Sequence, residues 1–118
     1  MRIINLVENE LGETDCEAVH GLSFYVETDN HKLPFDASPS DLVIRNAQKL
    51  GVDLTAIDTV ILSHGHYDHS GGILPFMEMN PRAKIYMQHN AGGEYYAFDG
   101  GDKGFRYIGI DKKILSLP

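Results

Sequence analysis

Three of the six histidines and one aspartate are concentrated in a single short segment of the sequence, SHGHYDHSGG at residues 63–72. The clustered side chains are those of His64, His66, Asp68 and His69. Imidazole nitrogens and carboxylate oxygens are donors that zinc, iron, manganese and related divalent ions accept. His64 and His66 can converge on one ion if the loop between them bends, which Gly65 permits. Asp68 and His69 can then reach a second ion.

Two divalent ions at this loop would favour hydrolysis. When two ions lie about 3.5 to 4 Å apart, a water shared between them ionises near neutral pH and becomes a nucleophile. Cys16 is the only cysteine, so the ligands have to be imidazoles and carboxylates rather than a thiolate cluster. We expect zinc first, with manganese, iron or nickel also compatible with these donors. A mononuclear site and a histidine-rich loop without metal are the alternatives that the spacing leaves open.

Alternating strands and helices are expected to position this segment. The mostly apolar run 57–62 predicts a strand covered on both faces, and it ends directly before Ser63. Open α/β sheets commonly carry functional groups at the ends of such strands. Helices are expected over 38–51, with Ser38 as the N-cap, and over 74–80. Further strands are expected at 3–7, 22–27 and 32–36 (the last two as a hairpin), 83–87, 105–110 and 113–117.

Length and composition indicate one α/β domain spanning residues 1–118. Apolar residues make up 42% and charged residues 23% of the chain, which is ordinary globular usage. The net charge is −7, with ten scattered basic residues against seventeen acidic ones, so we expect no nucleic-acid partner. No segment is typical of a signal peptide or a membrane span. With a single cysteine as well, the sequence predicts a cytoplasmic protein.

The histidine segment, residues 63–72, also resembles the signature of a known family. Residues 60–72, VILSHGHYDHSGG, resemble the motif of the metallo-beta-lactamase-fold hydrolases. Other segments resemble one subgroup of that family, the dihydropterin-linked ribofuranosylaminobenzene phosphate synthase-like proteins. These segments are 8–9, 20–28, 35–36, 46–47 and 50–54.

The resemblance implies a role for each residue of the cluster. It implies that His64 and His66 bind a first metal, that Asp68 and His69 bind a second, and that Asp68 also orients the attacking water. Asp36 matches the aspartate of the family's early Asp-Thr-Gly motif, which supports the metal ligands by hydrogen bonds. This sequence departs from that motif, since Asp36 is followed by alanine and serine. His20 lies in a subgroup-like segment and is a candidate wall residue of the site.

The resemblance covers only the first half of the family's αββα sandwich. It implies a mixed sheet with helices on one face, and it assigns a third histidine, a bridging carboxylate and a last histidine to the second half. His89 matches none of these ligands. We therefore expect an N-terminal half-domain, truncated before the second half, whose uncovered sheet face associates with that half or with a second copy as a homodimer.

The implied activity is metal-dependent hydrolysis of a small ester, lactone or phosphoester, to which this chain alone is expected to be poorly suited. One alternative is a non-catalytic, shortened homologue that serves as a binding or assembly module. A di-iron oxidoreductase on the same fold is the other alternative. It is less favoured, because those relatives carry glutamate where this chain has His66.

Overall fold

A computed structural model describes residues 1–12 and 15–117. Among these residues, the strands are β1 Arg2–Val7, β2 Ser23–Glu27, β3 Lys32–Phe35, β4 Thr59–Leu62, β5 Lys84–Met87, β6 Tyr96–Phe98 and β7 Phe105–Tyr107. The α-helices are α1 Leu42–Lys49, α2 Tyr67–Ser70 and α3 Ile73–Met79. Short 3₁₀ helices cover Leu54–Ala56, Gly101–Lys103 and Lys112–Ser116. None of the described helices is long and apolar enough to cross a membrane.

The first five strands form one mixed sheet in the order β1-β2-β3-β4-β5. β1, β2 and β3 pair antiparallel, which confirms the predicted hairpin. β4 pairs parallel with β3, where Phe35 lies opposite Ile61, and parallel with β5. The parallel strands β4 and β5 therefore end at the same edge of the sheet, and the histidine segment leaves from that edge.

The α-helices cover one face of this sheet. Val60 and Leu62 of β4 are fully buried on that face, where Val60 packs among Val43 of α1 and Ile73 and Phe76 of α3. The alternate residues point to the opposite face, where the side chains are only half-buried or exposed. We call this surface the outer face; its apolar residues are Ile3, Phe24, Val26, Leu33, Phe35, Ile61 and Tyr86, and it also carries Asn5, Thr59 and Lys84.

The C-terminal quarter differs from the sequence prediction. The segment 113–117, predicted as a strand, is a 3₁₀ helix in which Ile114 is buried. The Asp111 side chain accepts a hydrogen bond from the Lys113 N–H, which stabilises a helical turn there. The predicted strand 105–110 ends at Tyr107 and pairs with β6 in a separate two-stranded sheet. Short apolar runs do not distinguish a strand from a helical turn, which explains the error.

The start of α1 was also predicted too early. Ser38, the expected N-cap, has a positive φ of 55°, and the helix begins at Leu42 after Asp41. The Ser38 hydroxyl nevertheless donates to the Ser40 carbonyl and accepts from the Val43 N–H. Ser38 thus accepts a hydrogen bond from the first turn of α1, although it lies before the start of the helix.

Candidate metal centre

The end of β4 and the short helix α2 together position the histidine segment. His64 and His66 lie on extended or turn backbone after Leu62, whereas Asp68 and His69 lie within α2. The loop bends at residues 63–65, as expected, but Gly65 does not have a positive φ. A Cβ atom there would instead lie 1.8 Å from the Ala91 carbonyl oxygen. Glycine is required because another backbone segment packs directly against it.

The four side chains of the predicted cluster converge. The His64 ring centroid lies 4.7 Å from that of His66 and 4.2 Å from that of His69. One candidate ligand atom each from His64, His66 and Asp68 lie within 4.8 Å of one another, and the same holds for Asp36, His64 and His69. The structure thus brings together all four residues that the sequence nominated as ligands, and with them Asp36, to which the family resemblance had assigned a supporting role.

Asp36 is the buried centre of a hydrogen-bond network beneath the histidines. Its side chain is 0% exposed. Oδ1 accepts from the Ser63 N–H at 2.7 Å, and Oδ2 accepts from the Ser63 hydroxyl and from His69 Nδ1, both at 2.7 Å. Because the Ser63 hydroxyl donates to Asp36, it accepts from His64 Nδ1, 2.8 Å away. Asp36 therefore orients His69 directly and His64 through Ser63.

This network determines which ring nitrogens are available to a metal. In their neutral forms, His64 and His69 both carry their proton on Nδ1, so each then has a free lone pair on Nε2. His69 Nε2 faces Asp68 Oδ2 at 3.6 Å, and neither atom has a proton to share with the other in this arrangement. Two acceptors facing each other at this distance suit a cation between them. The donor set of neutral imidazoles and a carboxylate therefore fits a divalent metal ion.

The surroundings of His64, which is only partly desolvated, also favour its ligating form. The pKa of His64 is lowered, first by burial and then by the neighbouring rings of His69 and His66. A lowered pKa keeps the imidazole neutral near pH 7, and the neutral form is the one that binds a metal.

His20, the candidate wall residue, lies at this cluster. Its Nε2 is 3.2 Å from Asp68 Oδ2. Two other histidines lie elsewhere. His31 pairs with Asp58 at 3.0 Å beside the β2–β3 turn, and exposed His89 belongs to neither group of candidate ligands among the described residues.

The β6–β7 hairpin supports the histidine segment from the side, a role that the sequence did not predict. The Tyr95 ring meets the His66 ring edge-on, with centroids 5.5 Å apart. The Tyr67 N–H donates to the Ile108 carbonyl at 2.8 Å, and the Arg106 guanidinium lies 6.0 Å from the Tyr67 ring centroid. Aromatic residues in weakly patterned loops gave no signal of these contacts.

The chain is an α/β protein whose mixed sheet has helices on one face and carries a candidate metal-binding cluster of histidines and aspartates at a strand end. The chain belongs to the metallo-beta-lactamase superfamily, whose sequence profile matches residues 17–111. The fold and the family resemblance predicted from the sequence are therefore confirmed.

Individual relatives place the chain more closely. It is 32% identical over 97 residues to the 7,8-dihydropterin-6-methyl-4-(beta-D-ribofuranosyl)-aminobenzene-5'-phosphate synthase of Methanocaldococcus jannaschii, covering 76% of this chain and 33% of the relative. It is 25% identical over 96 residues to a hydroxyacylglutathione hydrolase of Aeromonas salmonicida, covering 79% and 36%.

A solved structure shows the same fold. The metallo-beta-lactamase of Cronobacter sakazakii superposes with a TM-score of 0.53 at 27% identity, over 76% of this chain and 36% of that one. The chain thus spans about a third of the length of the relatives that it matches.

Proposed function

We propose that this chain supplies the first metal-binding half of a metal-dependent hydrolase that acts on a small ester, lactone or phosphoester. In this proposal His64 and His66 hold a first ion, and Asp68 and His69 hold a second. The observation that carries it is the pair of facing acceptors, His69 Nε2 and Asp68 Oδ2, 3.6 Å apart. Divalent ions bound here would act as Lewis acids and lower the pKa of a coordinated water.

Hydrogen bonds within the chain orient the proposed ligands. Asp36 accepts the Nδ1 proton of His69 and, through Ser63, fixes the ring of His64. In the neutral rings, both Nε2 lone pairs are thereby left available to a metal. Asp68, at the rim of the cluster, has a second carboxylate oxygen with which to accept a proton from the attacking water. Zinc is the ion we expect, and manganese, iron or nickel share the same donor preference.

The relatives support hydrolysis and also show how widely the superfamily varies. The A. salmonicida relative is named as a hydrolase, whereas the M. jannaschii relative is named as a synthase. The four proposed ligands leave both ions short of a full set. We therefore expect weak metal binding and slight turnover by the 118 residues alone. A non-catalytic metal-binding module is the second candidate, since the chain spans only a third of those relatives.

Metal uptake measured before activity tests the proposal. The purified chain is dialysed against zinc and analysed for bound metal, then compared with His64→Ala and Asp68→Ala. We expect uptake above the buffer background and a clear reduction in both variants. Turnover of an aryl phosphodiester, a thioester and a lactone separates the two candidates, because the non-catalytic module predicts uptake without any turnover. Absence of uptake, or uptake unchanged in both variants, would refute the ligand assignment.

A further inference from the structure

We propose that His20 is a positioning residue that holds the Asp68 carboxylate in the orientation needed for metal binding. This inference rests on the proposed function, because it assigns Asp68 to a metal. His20 Nε2 lies 3.2 Å from Asp68 Oδ2, the same oxygen that faces His69. The His20 side chain is 74% exposed, whereas that of Asp68 is 13% exposed. His20 therefore covers Asp68 from the solvent side.

Asn9 determines which nitrogen of His20 carries the proton. The Gly21 N–H donates to Asn9 Oδ1 at 3.2 Å, so the amide oxygen is already assigned. The amide nitrogen of Asn9 then faces His20 Nδ1 at 3.4 Å. An amide nitrogen only donates, so Nδ1 accepts and the proton of the neutral ring lies on Nε2. That proton points to Asp68 Oδ2, and the three residues form an oriented chain from Asn9 to His20 to Asp68.

The backbone around His20 is fixed to Asp68 as well. The Leu22 N–H donates to the Asp68 carbonyl at 3.3 Å. A Cβ atom on Gly21, whose φ is +155°, would lie 2.6 Å from the same carbonyl oxygen. The segment 20–22 packs tightly against the start of α2. The backbone of His20 is therefore held at a fixed distance from Asp68, although its ring is exposed. Its contact with Asp68 is therefore a built feature of the site.

A metal-ligand role for His20 makes a different prediction from a positioning role. A ligand needs a lone pair on Nε2, where the Asn9 contact places a proton. A positioning residue needs only an N–H donor at that point, which the side-chain amide of glutamine can supply. Comparison of His20→Ala with His20→Gln therefore separates the two roles.

The chain offers a matched control at the other end of the sheet. His31 is also an exposed histidine on a carboxylate, with Nδ1 3.0 Å from Asp58 Oδ1. His31→Ala removes a ring and a histidine–aspartate contact of the same kind without touching the candidate metal centre. It therefore reports any general effect of losing an exposed histidine.

The experiment is a titration of each variant with Co²⁺ and Zn²⁺, monitored by the visible Co²⁺ spectrum and by competition with a chromophoric chelator. We expect His20→Ala to weaken binding of the second ion by about 10-fold or more, as loss of a partner to a metal ligand usually does. His20→Gln should recover most of that affinity with the wild-type Co²⁺ spectrum, and His31→Ala should match the wild type. Thermal unfolding of each metal-free variant reports whether the fold is retained.

Asn9→Ala provides an independent test should His20→Ala fold poorly. It should weaken the second ion in the same direction, and the double variant should be no worse than His20→Ala alone. Wild-type affinity in His20→Ala, or His20→Gln behaving like His20→Ala, overturns the positioning role. If the wild-type chain itself takes up no Co²⁺ or Zn²⁺, the proposed function fails and this inference fails with it.

Discussion

Two histidines of the candidate metal centre depend on one buried carboxylate. Asp36 is fully enclosed, and it accepts hydrogen bonds from the Ser63 N–H, the Ser63 hydroxyl and His69. A buried ionised carboxylate is tolerated only when donors satisfy it, and here the donors belong to the metal segment itself. Its backbone also has a φ of +63°, a conformation that asparagine and aspartate accept more readily than other side chains do.

Asp36→Asn should lower zinc affinity by about 10- to 100-fold while preserving the backbone conformation. The amide oxygen can still accept from the Ser63 N–H. The amide nitrogen, however, replaces the oxygen that accepted from Ser63 Oγ and His69 Nδ1, and it would oppose their protons. Chelator competition measures the affinity, and Asp58→Asn, at the opposite end of the sheet, is the control. Equal zinc affinity in Asp36→Asn and wild type would contradict the supporting role.

Donor types and spacing identified the candidate ligands, and the family resemblance identified Asp36 as a supporting residue, but neither identified Ser63 or the contact that His20 makes with Asp68. His64, His66, Asp68 and His69 were recognisable because donor type and spacing lie within one short segment. Ser63 and His20 act through partners that are distant in sequence, and only the parallel pairing of β3 with β4 and the packing of residues 20–22 bring those partners together. The ligand assignments remain predictions until metal binding is measured.

At the scale of elements, the link between β3 and α1 connects the sheet to the metal segment. The Ala37 N–H donates to the His69 carbonyl at 2.7 Å, and the Ala37 carbonyl accepts from the Gly72 N–H at 2.9 Å. Ala37 is therefore hydrogen-bonded to the chain on either side of Ser70 and Gly71, and the next residue of the link, Ser38, adopts the left-handed conformation. Sequence patterns could not reveal this, because a serine followed by proline is equally typical of a regular N-cap.

Ser38→Gly should be more stable than Ser38→Ala by about 1 kcal/mol, since both lose the hydroxyl contacts but only alanine retains the cost of a positive φ. Urea denaturation measures the difference. Gln48, exposed within α1, is the control position: there alanine should be more stable than glycine by about 1 kcal/mol. The same order at both positions would show that the Ser38 backbone imposes no special requirement.

Gly65→Ala should destabilise the chain by about 1 to 3 kcal/mol and reduce metal uptake, because the added methyl group must displace the Ala91 carbonyl from 1.8 Å. That displacement moves the loop that presents His64 and His66. Gly12→Ala is the matched control, since a Cβ atom there meets nothing within 4 Å, and its stability should change by less than about 0.5 kcal/mol. If Gly65→Ala and Gly12→Ala have the same free energy of unfolding and the same metal uptake, the contact between residue 65 and the Ala91 carbonyl is not a constraint in solution.

At the scale of the whole molecule, the described residues cover one face of the sheet and leave the other face uncovered. The hairpin and most elements of the first three quarters of the chain followed from periodicity and turn residues, and the helix-covered face followed from the family resemblance. The order of the strands in the sheet was not predicted. The β6–β7 hairpin and the last 3₁₀ helix did not, because short glycine-rich segments carry little pattern. An uncovered sheet face was expected from the resemblance to the first half of the family's sandwich, whereas the apolar run 57–62 had indicated a strand covered on both faces.

The 118-residue chain by itself should associate with a second copy through the outer face. Ile3 and Tyr86 lie at opposite edges of this face and are 58% and 57% exposed. Between them the half-buried apolar side chains form two adjacent rows, with Val26 and Leu33 in the row of Ile3, and Phe24, Phe35 and Ile61 in the row of Tyr86. Large contiguous apolar patches on soluble proteins commonly mark association surfaces, and a two-fold contact between identical patches closes without further growth. Light scattering should report about twice 13.1 kDa. Ile3→Lys combined with Tyr86→Lys should shift the chain toward monomer, because the dimer would bury four unpaired charges.

Met79→Lys combined with Leu115→Lys is the control. It adds the same charge at exposed positions off this face and should leave the mass unchanged. A wild-type mass of 13.1 kDa at micromolar concentration would rule out this dimer.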